Sequence, residues 1–170
     1  IKYKIPVFYP DHFNDKNIIS SFINLKADLV ILMAYGKLLP IEILNIPSNG
    51  CINIHLSLLP RWRGATPIEH ALLNGDKETG VTIFRLVDTL DAGPILSQSS
   101  VTINDDMNKE DLSNKLNVVG NNLLISTLSD YFNNKIKLKE QIAQKATYAK
   151  KITSEIRKID FNENVIKVFN

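Results

Sequence analysis

The stretch ADLVILMAYG, residues 27–36, is apolar at nearly every position and closes on glycine. A strand with one wet face alternates apolar and polar residues. A run that does not alternate asks for cover on both sides, as the strands of parallel sheets do. A chain with such a strand must therefore supply helices to bury it. From Asn14, the spacing of Ile18, Ile19, Phe22, Ile23 and Leu25 predicts a helix with Asn14 as its N-cap. Ahead of it, KIPVFYP (4–10) reads as a short extended segment. Pro40 opens a short helix through Leu44, PSNG (47–50) is a turn, and CINIHL (51–56) is a second strand. Thr66 and Pro67 give an N-cap and a first-turn proline for a helix through Leu73. GVTIFRLV (80–87) and PILSQSSVTI (94–103) read as strands joined by the loop DTLDAG. Residues 109–132 form the longest helix, with Leu112, Leu116, Val119, Leu123, Leu128 and Phe132 along one stripe.

Helices and strands in alternation predict the α/β class: a Rossmann-like domain, its sheet mostly parallel, with helices on both faces. In a doubly wound sheet a first half precedes a strand like 27–36, so the sequence reads as lacking the first part of the sheet. Residues 1–134 are assigned to this domain. Residues 135–170 are lysine-rich and weakly periodic. They predict a basic linker and the start of a segment leading to a C-terminal domain outside the sequence.

At 170 residues, one core is the natural outcome. A formal net charge of +2 gives no general attraction to nucleic acid, so any basic surface must be local. Cys51 is the only cysteine, which excludes an internal disulfide and a multi-cysteine zinc site. It also fits a reducing compartment, the cytoplasm or an organellar matrix. No apolar run approaches the roughly 20 residues of a membrane span. A monomer acting away from membranes is the expectation.

The second strand carries the chemistry. Strand side chains alternate, so Asn53 and His55 share one face while Ile52, Ile54 and Leu56 share the other. They are either two satisfied core polar groups or part of a site beyond the carboxyl end of the strand. Asp91, in LDAG, is either a turn former or a third member, brought towards His55 because the loop after strand 80–87 lies at the same sheet edge as the loop after strand 51–56. Together the three suit acyl transfer to an amine. A carboxamide N–H donates to a developing oxyanion, a nearby carboxylate favours a protonated imidazole that does the same, and the carboxylate takes a proton from the attacking nitrogen. Ser57 has no G-x-S-x-G elbow around it; metal-ligand spacings, G-x-G-x-x-G and the P-loop are absent.

NIHLSLLPRWRGATPI, then NGDKETGVTI and LDAGPIL, resemble the folate-dependent formyltransferases, and most closely the branch that formylates methionyl-tRNA. VILMAYGKLLP and TYAKKITSEIRKIDF extend the resemblance over nearly the whole chain. It implies transfer of a formyl group from 10-formyltetrahydrofolate, without a metal, to the α-amine of initiator methionyl-tRNA. The alternatives are transfer to an amino sugar or glycinamide ribonucleotide, and a non-catalytic folate- or RNA-binding relic. Carried over by position, the catalytic trio falls on Asn53, His55 and Asp91. The folate-contacting turn falls on Ser57, Leu58, Leu59 and Pro60. The pterin pocket falls on the segment around Tyr35, with Lys37, Leu38 and Leu39, and on the loop from Val87 to Leu90. Leu56 stands where the family usually has a small residue or proline; it either crowds the turn or points into the core. Arg61 and Arg63, flanking Trp62, either hold tRNA phosphate or belong to a solvated turn. Lys150 and Lys151 are tRNA-facing or simply solvated. His12 and His70 read as surface or structural residues.

Overall fold

A computed structural model of the chain describes residues 3–8, 13, 15–36, 38–163 and 168. The strand β2 (Cys51–His55) lies at its centre. Ile52 and Ile54 enter a core with Val81, Ile83, Leu96 and Val101 from neighbouring strands. Over that core lie Ile68 and Ala71 of helix α3 (Pro67–Leu73) and Leu112 and Leu116 of helix α4 (Lys109–Phe132). Each such aliphatic side chain contributes about 1.5–3 kcal/mol by leaving water. Leu56 also packs against this cluster, so it points into the core.

Among the described residues the main sheet has the order β1 (Val30–Met33), β2, β4 (Glu78–Arg85), β5 (Ile95–Thr102). β1 and β2 are parallel, with Val30 opposite Cys51 and Met33 opposite Ile54. The other two ladders are antiparallel. The α/β class stands, but in the described residues the parallel share of the mixed sheet is β1 with β2. For β4 and β5 the reason is the link 86–94, which is shorter than the dozen or more residues a parallel crossover needs.

Local signals set the element ends. Asn108 caps α4 by accepting from Glu110 N at 2.7 Å and Asp111 N at 3.1 Å, and Asp111 returns the bond to Asn108 N. The apolar stripe of α4 stops short of Phe132, which is 53% exposed; Tyr131 packs on the core instead and donates to Asn49 O. Helix α1 (Lys16–Asn24) starts one residue later than its spacing suggests. Asp15 is the N-cap, its carboxylate accepting from Asn17 N, while Asn14 lies outside the described residues, as does His12. Helix α2 (Ile41–Leu44) follows Pro40 and buries Ile43 and Leu44.

Residues 135–149, read from the sequence as linker, lie against the domain. Lys139 and Ile95 exchange both backbone hydrogen bonds. The two-residue strands β3 (Arg63–Gly64) and β6 (Tyr148–Ala149) pair in parallel. Backbone pairing of this kind leaves no apolar period in the sequence, which is why it is invisible there. Among the described residues, no helix is long and apolar enough to cross a membrane.

Candidate active site

Register places the polar face of β2 against β4. Asn53 lies opposite Phe84 and His55 opposite Thr82. The Phe84 ring meets the His55 ring edge-on, with centroids 6.4 Å apart. Beyond His55 the chain turns through Ser57–Pro60, with a cis Leu59–Pro60 peptide. Thr82 holds this turn: its buried hydroxyl donates to Ser57 O (2.6 Å) and accepts from Leu59 N (3.0 Å). Gln98 on β5 donates to that hydroxyl and to Leu59 O, both at 2.9 Å. Ser57 Oγ donates to Arg61 O at 2.6 Å.

The trio converges. His55 Nδ1 is 3.9 Å from Asp91 Oδ2, and both side chains are more than nine-tenths buried. His55 Nε2 lies 2.7 Å from Trp62 O; a carbonyl only accepts, so Nε2 carries the proton. Asn53 Oδ1 is buried with no hydrogen-bond partner. Such an orphan demands an explanation, and a ligand is one.

Asp91 arrives by an unforeseen route. Arg85, where β4 ends, is opposite Ile52 at the far end of β2 from His55. The loop 86–93 therefore leaves from the opposite edge and folds back across the polar face. That return is tight: a Cβ on Gly93 would lie 1.7 Å from Arg85 O. Asp91 sits at φ +47°, a left-handed conformation that non-glycine residues adopt rarely. Its Oδ2 accepts from Gly64 N at 2.7 Å.

Of the folate-assigned residues, Ser57 and Leu59 are buried in the turn, with Leu58 and Pro60 half-buried beside them. Val87 is half-buried and Leu90 exposed in the loop that carries Asp91. Leu38 is exposed and Leu39 half-buried, and no hydrogen bond among the described residues joins either to the trio. Lys37 lies outside the described residues.

Of the two arginines, Arg63 departs from the tRNA assignment. Arg63 is 5% exposed, and its guanidinium donates to Gln141, so it cannot meet a phosphate at the surface. Arg61 forms a two-point pair with Asp76 (2.9 and 2.6 Å) and stacks on Trp62, whose indole N–H also donates to Asp76. Burial pushes the Asp76 carboxyl up, but hydrogen bonds from Arg61, Trp62 and Asn74 outweigh it and hold the group below the usual carboxylate range. The same bond raises Arg61. Lys150 and Lys151 are exposed, and Lys150 O accepts from Thr66 and His70. Burial, partly offset by Arg85, pushes the Cys51 thiol up to about 11, which rules out a thiolate nucleophile at neutral pH. Among the described residues no cluster of His, Cys, Asp and Glu could hold a metal. A hollow of about 970 Å³ between α3, the start of α4 and residues 152–163 contains none of the trio.

Sequence reasoning missed four contributors: Thr82, Gln98, the Gly64 N–H and Gln141. Thr82 shares parity with Phe84 in GVTIFRLV and was within reach of a register argument. The others act across long separations and carry no local signal.

A sheet with this order and a carboxamide, imidazole and carboxylate gathered on its polar face suits a group-transfer enzyme. The family model described as formyl transferase matches residues 3–128, and the chain belongs to that family. It is 45% identical over 166 residues to the methionyl-tRNA formyltransferase of Thermodesulfovibrio yellowstonii, covering 98% of this chain and 54% of that protein. Against the enzyme of the same name from Buchnera aphidicola it is 42% identical over 176 residues, covering 100% and 56%. The chain thus spans about half the length of the curated relatives it matches. Among solved structures, HypX from Aquifex aeolicus, in complex with tetrahydrofolic acid, superposes with TM-score 0.77 at 18% identity, over 90% of this chain and 27% of that one. WlaRD, a sugar 3N-formyltransferase crystallised with dTDP and 5-N-formyl-THF, gives 0.75 at 21%, over 86% and 54%. These two likenesses establish the fold.

Proposed function

We propose that the chain carries the catalytic domain of an enzyme that moves the formyl group of 10-formyltetrahydrofolate onto the α-amine of initiator methionyl-tRNA. One observation carries the reading: Asn53, with its orphaned buried oxygen, shares a strand face with His55, which lies 3.9 Å from Asp91. The relatives named methionyl-tRNA formyltransferase support the choice of amine. Exposed Leu90, on the loop that carries Asp91, and the unpartnered amide oxygen of Asn53 suit a ligand with apolar faces and polar edges, as a pterin has. When bound, the folate supplies the formyl carbon.

The rest falls to the chain's own side chains. The Nε2 proton of His55 is committed to Trp62 O, so Nδ1 is the working nitrogen and donates to the oxyanion when the ring is protonated. The Asn53 carboxamide donates to the same oxygen, and its Oδ1 accepts from the incoming amine. Asp91 is held at Oδ2 by the Gly64 N–H; Oδ1 takes the proton from the attacking nitrogen, directly or through water. Ser57–Pro60 and Val87–Leu90 flank the donor. Exposed Lys150 and Lys151 offer charge to tRNA phosphate.

The test compares formyl transfer by the full-length protein to charged initiator tRNA, to an amino sugar nucleotide and to glycinamide ribonucleotide. Preference for the tRNA is expected. Asn53→Ala and His55→Ala should each lower kcat about 10²–10³-fold, with tetrahydrofolate binding retained. Preference for a small amine would replace the substrate, and undiminished turnover in both variants would leave a binding protein only.

A further inference from the structure

The amide of Gln141 is fully used. Its Nε2 donates to the carbonyls of Asp91 (2.9 Å) and Gly93 (2.7 Å). Its Oε1 accepts from Nε (3.1 Å) and Nη2 (2.7 Å) of Arg63. Carbonyls cannot donate and a guanidinium cannot accept, so only this orientation of the amide makes all four bonds. Arg63 is 5% exposed and, among the described residues, pairs with no carboxylate. A buried charge spent on an amide oxygen fixes that amide with a charge-assisted bond.

The segment around Gln141 is anchored on both sides. Lys139 is paired with Ile95, and Tyr148–Ala149 with Arg63–Gly64. Gly64 holds the Asp91 carboxylate itself. A Cβ on Gly64 would lie 2.7 Å from Ala149 O, so β3 and β6 approach as closely as only glycine allows. Asp91 thus has its main chain held by Gln141 and its side chain by Gly64. It needs both, because its left-handed backbone does not hold itself.

We propose that Gln141, backed by Arg63, is a positioning residue that sets the Asp91 carboxylate against His55. The proposal rests on the reading of Asp91 as proton acceptor. Gln141 makes no bond to any side-chain atom of the trio; it acts through two carbonyls of the loop. Without the amide the loop relaxes from its strained geometry, and displacement of a reacting group by an ångström lowers turnover about 100-fold.

In the full-length protein, Gln141→Ala should lower kcat about 10- to 100-fold, with KM for the folate donor and tetrahydrofolate binding unchanged. Gln141→Glu keeps the length and the Arg63 partner, but its ionised carboxylate cannot donate to the two carbonyls. It should lose turnover similarly while melting near the parent temperature. The decisive comparison is Asp91→Asn alone and combined with Gln141→Ala. If Gln141 works through Asp91, the double variant is no slower than Asp91→Asn; independent roles give multiplied losses. Multiplied losses, parental kcat in both Gln141 variants, or failure of both to fold would overturn the proposal and leave the reading of Asp91 intact. Parental kcat in Asp91→Asn would overturn that reading and this proposal with it. Should only Gln141→Ala fail to fold, Gln141→Glu carries the same comparison.

Discussion

Five residues of β2 carry two unlike surfaces. Ile52 and Ile54 meet close-packed aliphatic neighbours from α3, α4 and the flanking strands. On the opposite face His55 meets a returning loop, and Asn53 keeps an unanswered amide oxygen. One face is closed and satisfied; the other is held in shape and left incomplete. The difference teaches that stability and chemistry are separable here although their residues alternate along one strand. Damage to the first should unfold the protein, and damage to the second should stop it while folded.

The strongest blow to the closed face is Leu116→Ala. Leu116 is fully buried, and truncation should lower stability by about 2–5 kcal/mol in urea denaturation while the folded fraction keeps its kcat. A stable but inactive Leu116→Ala would erase the division between the faces. Thr82→Val probes the boundary, since it keeps the shape but removes the hydroxyl that answers Ser57 O, Leu59 N and Gln98. The buried Leu59 N–H left unpaired should cost about 1–3 kcal/mol, and KM for the proposed folate donor should rise as the turn loosens. Unchanged KM would mean that the turn owes its shape to packing alone. The smallest effect belongs to Asp76. Its carboxyl is lowered in the folded state, so its contribution is complete above the ordinary range near about pH 4 and is lost as pH falls through the lowered value. A stability–pH titration should show about 0.5–1 kcal/mol of that acid loss vanish in Asp76→Asn. An identical acid slope in the two proteins would remove Asp76 from the scheme.

The legible and illegible parts of the molecule divide along similar lines. Helix α4 announces its own limits, because Asn108 and Asp111 write a cap and Leu112 and Leu116 write a period. The shared face of Asn53 and His55 follows from parity alone. The meeting of Asp91 with His55 is also as expected, yet the path is not, since an antiparallel β4 sends its loop off the other end of the sheet. Arg63 misleads because a basic residue next to tryptophan and glycine looks like surface; its burial depends on an amide that lies 78 residues further on. Gly64 contributes a backbone N–H, which no side-chain pattern can encode.

The short pairing of Arg63–Gly64 with Tyr148–Ala149 bears on how the molecule comes into being. Contacts across such a span pay a large loop-closure entropy before they are rewarded, which slows folding. During synthesis the ribosome must release everything through residue 141 before position 91 acquires both of its restraints. A nascent polypeptide can thus hold its sheet and its long helix, and bury most of its oil, while still awaiting competence.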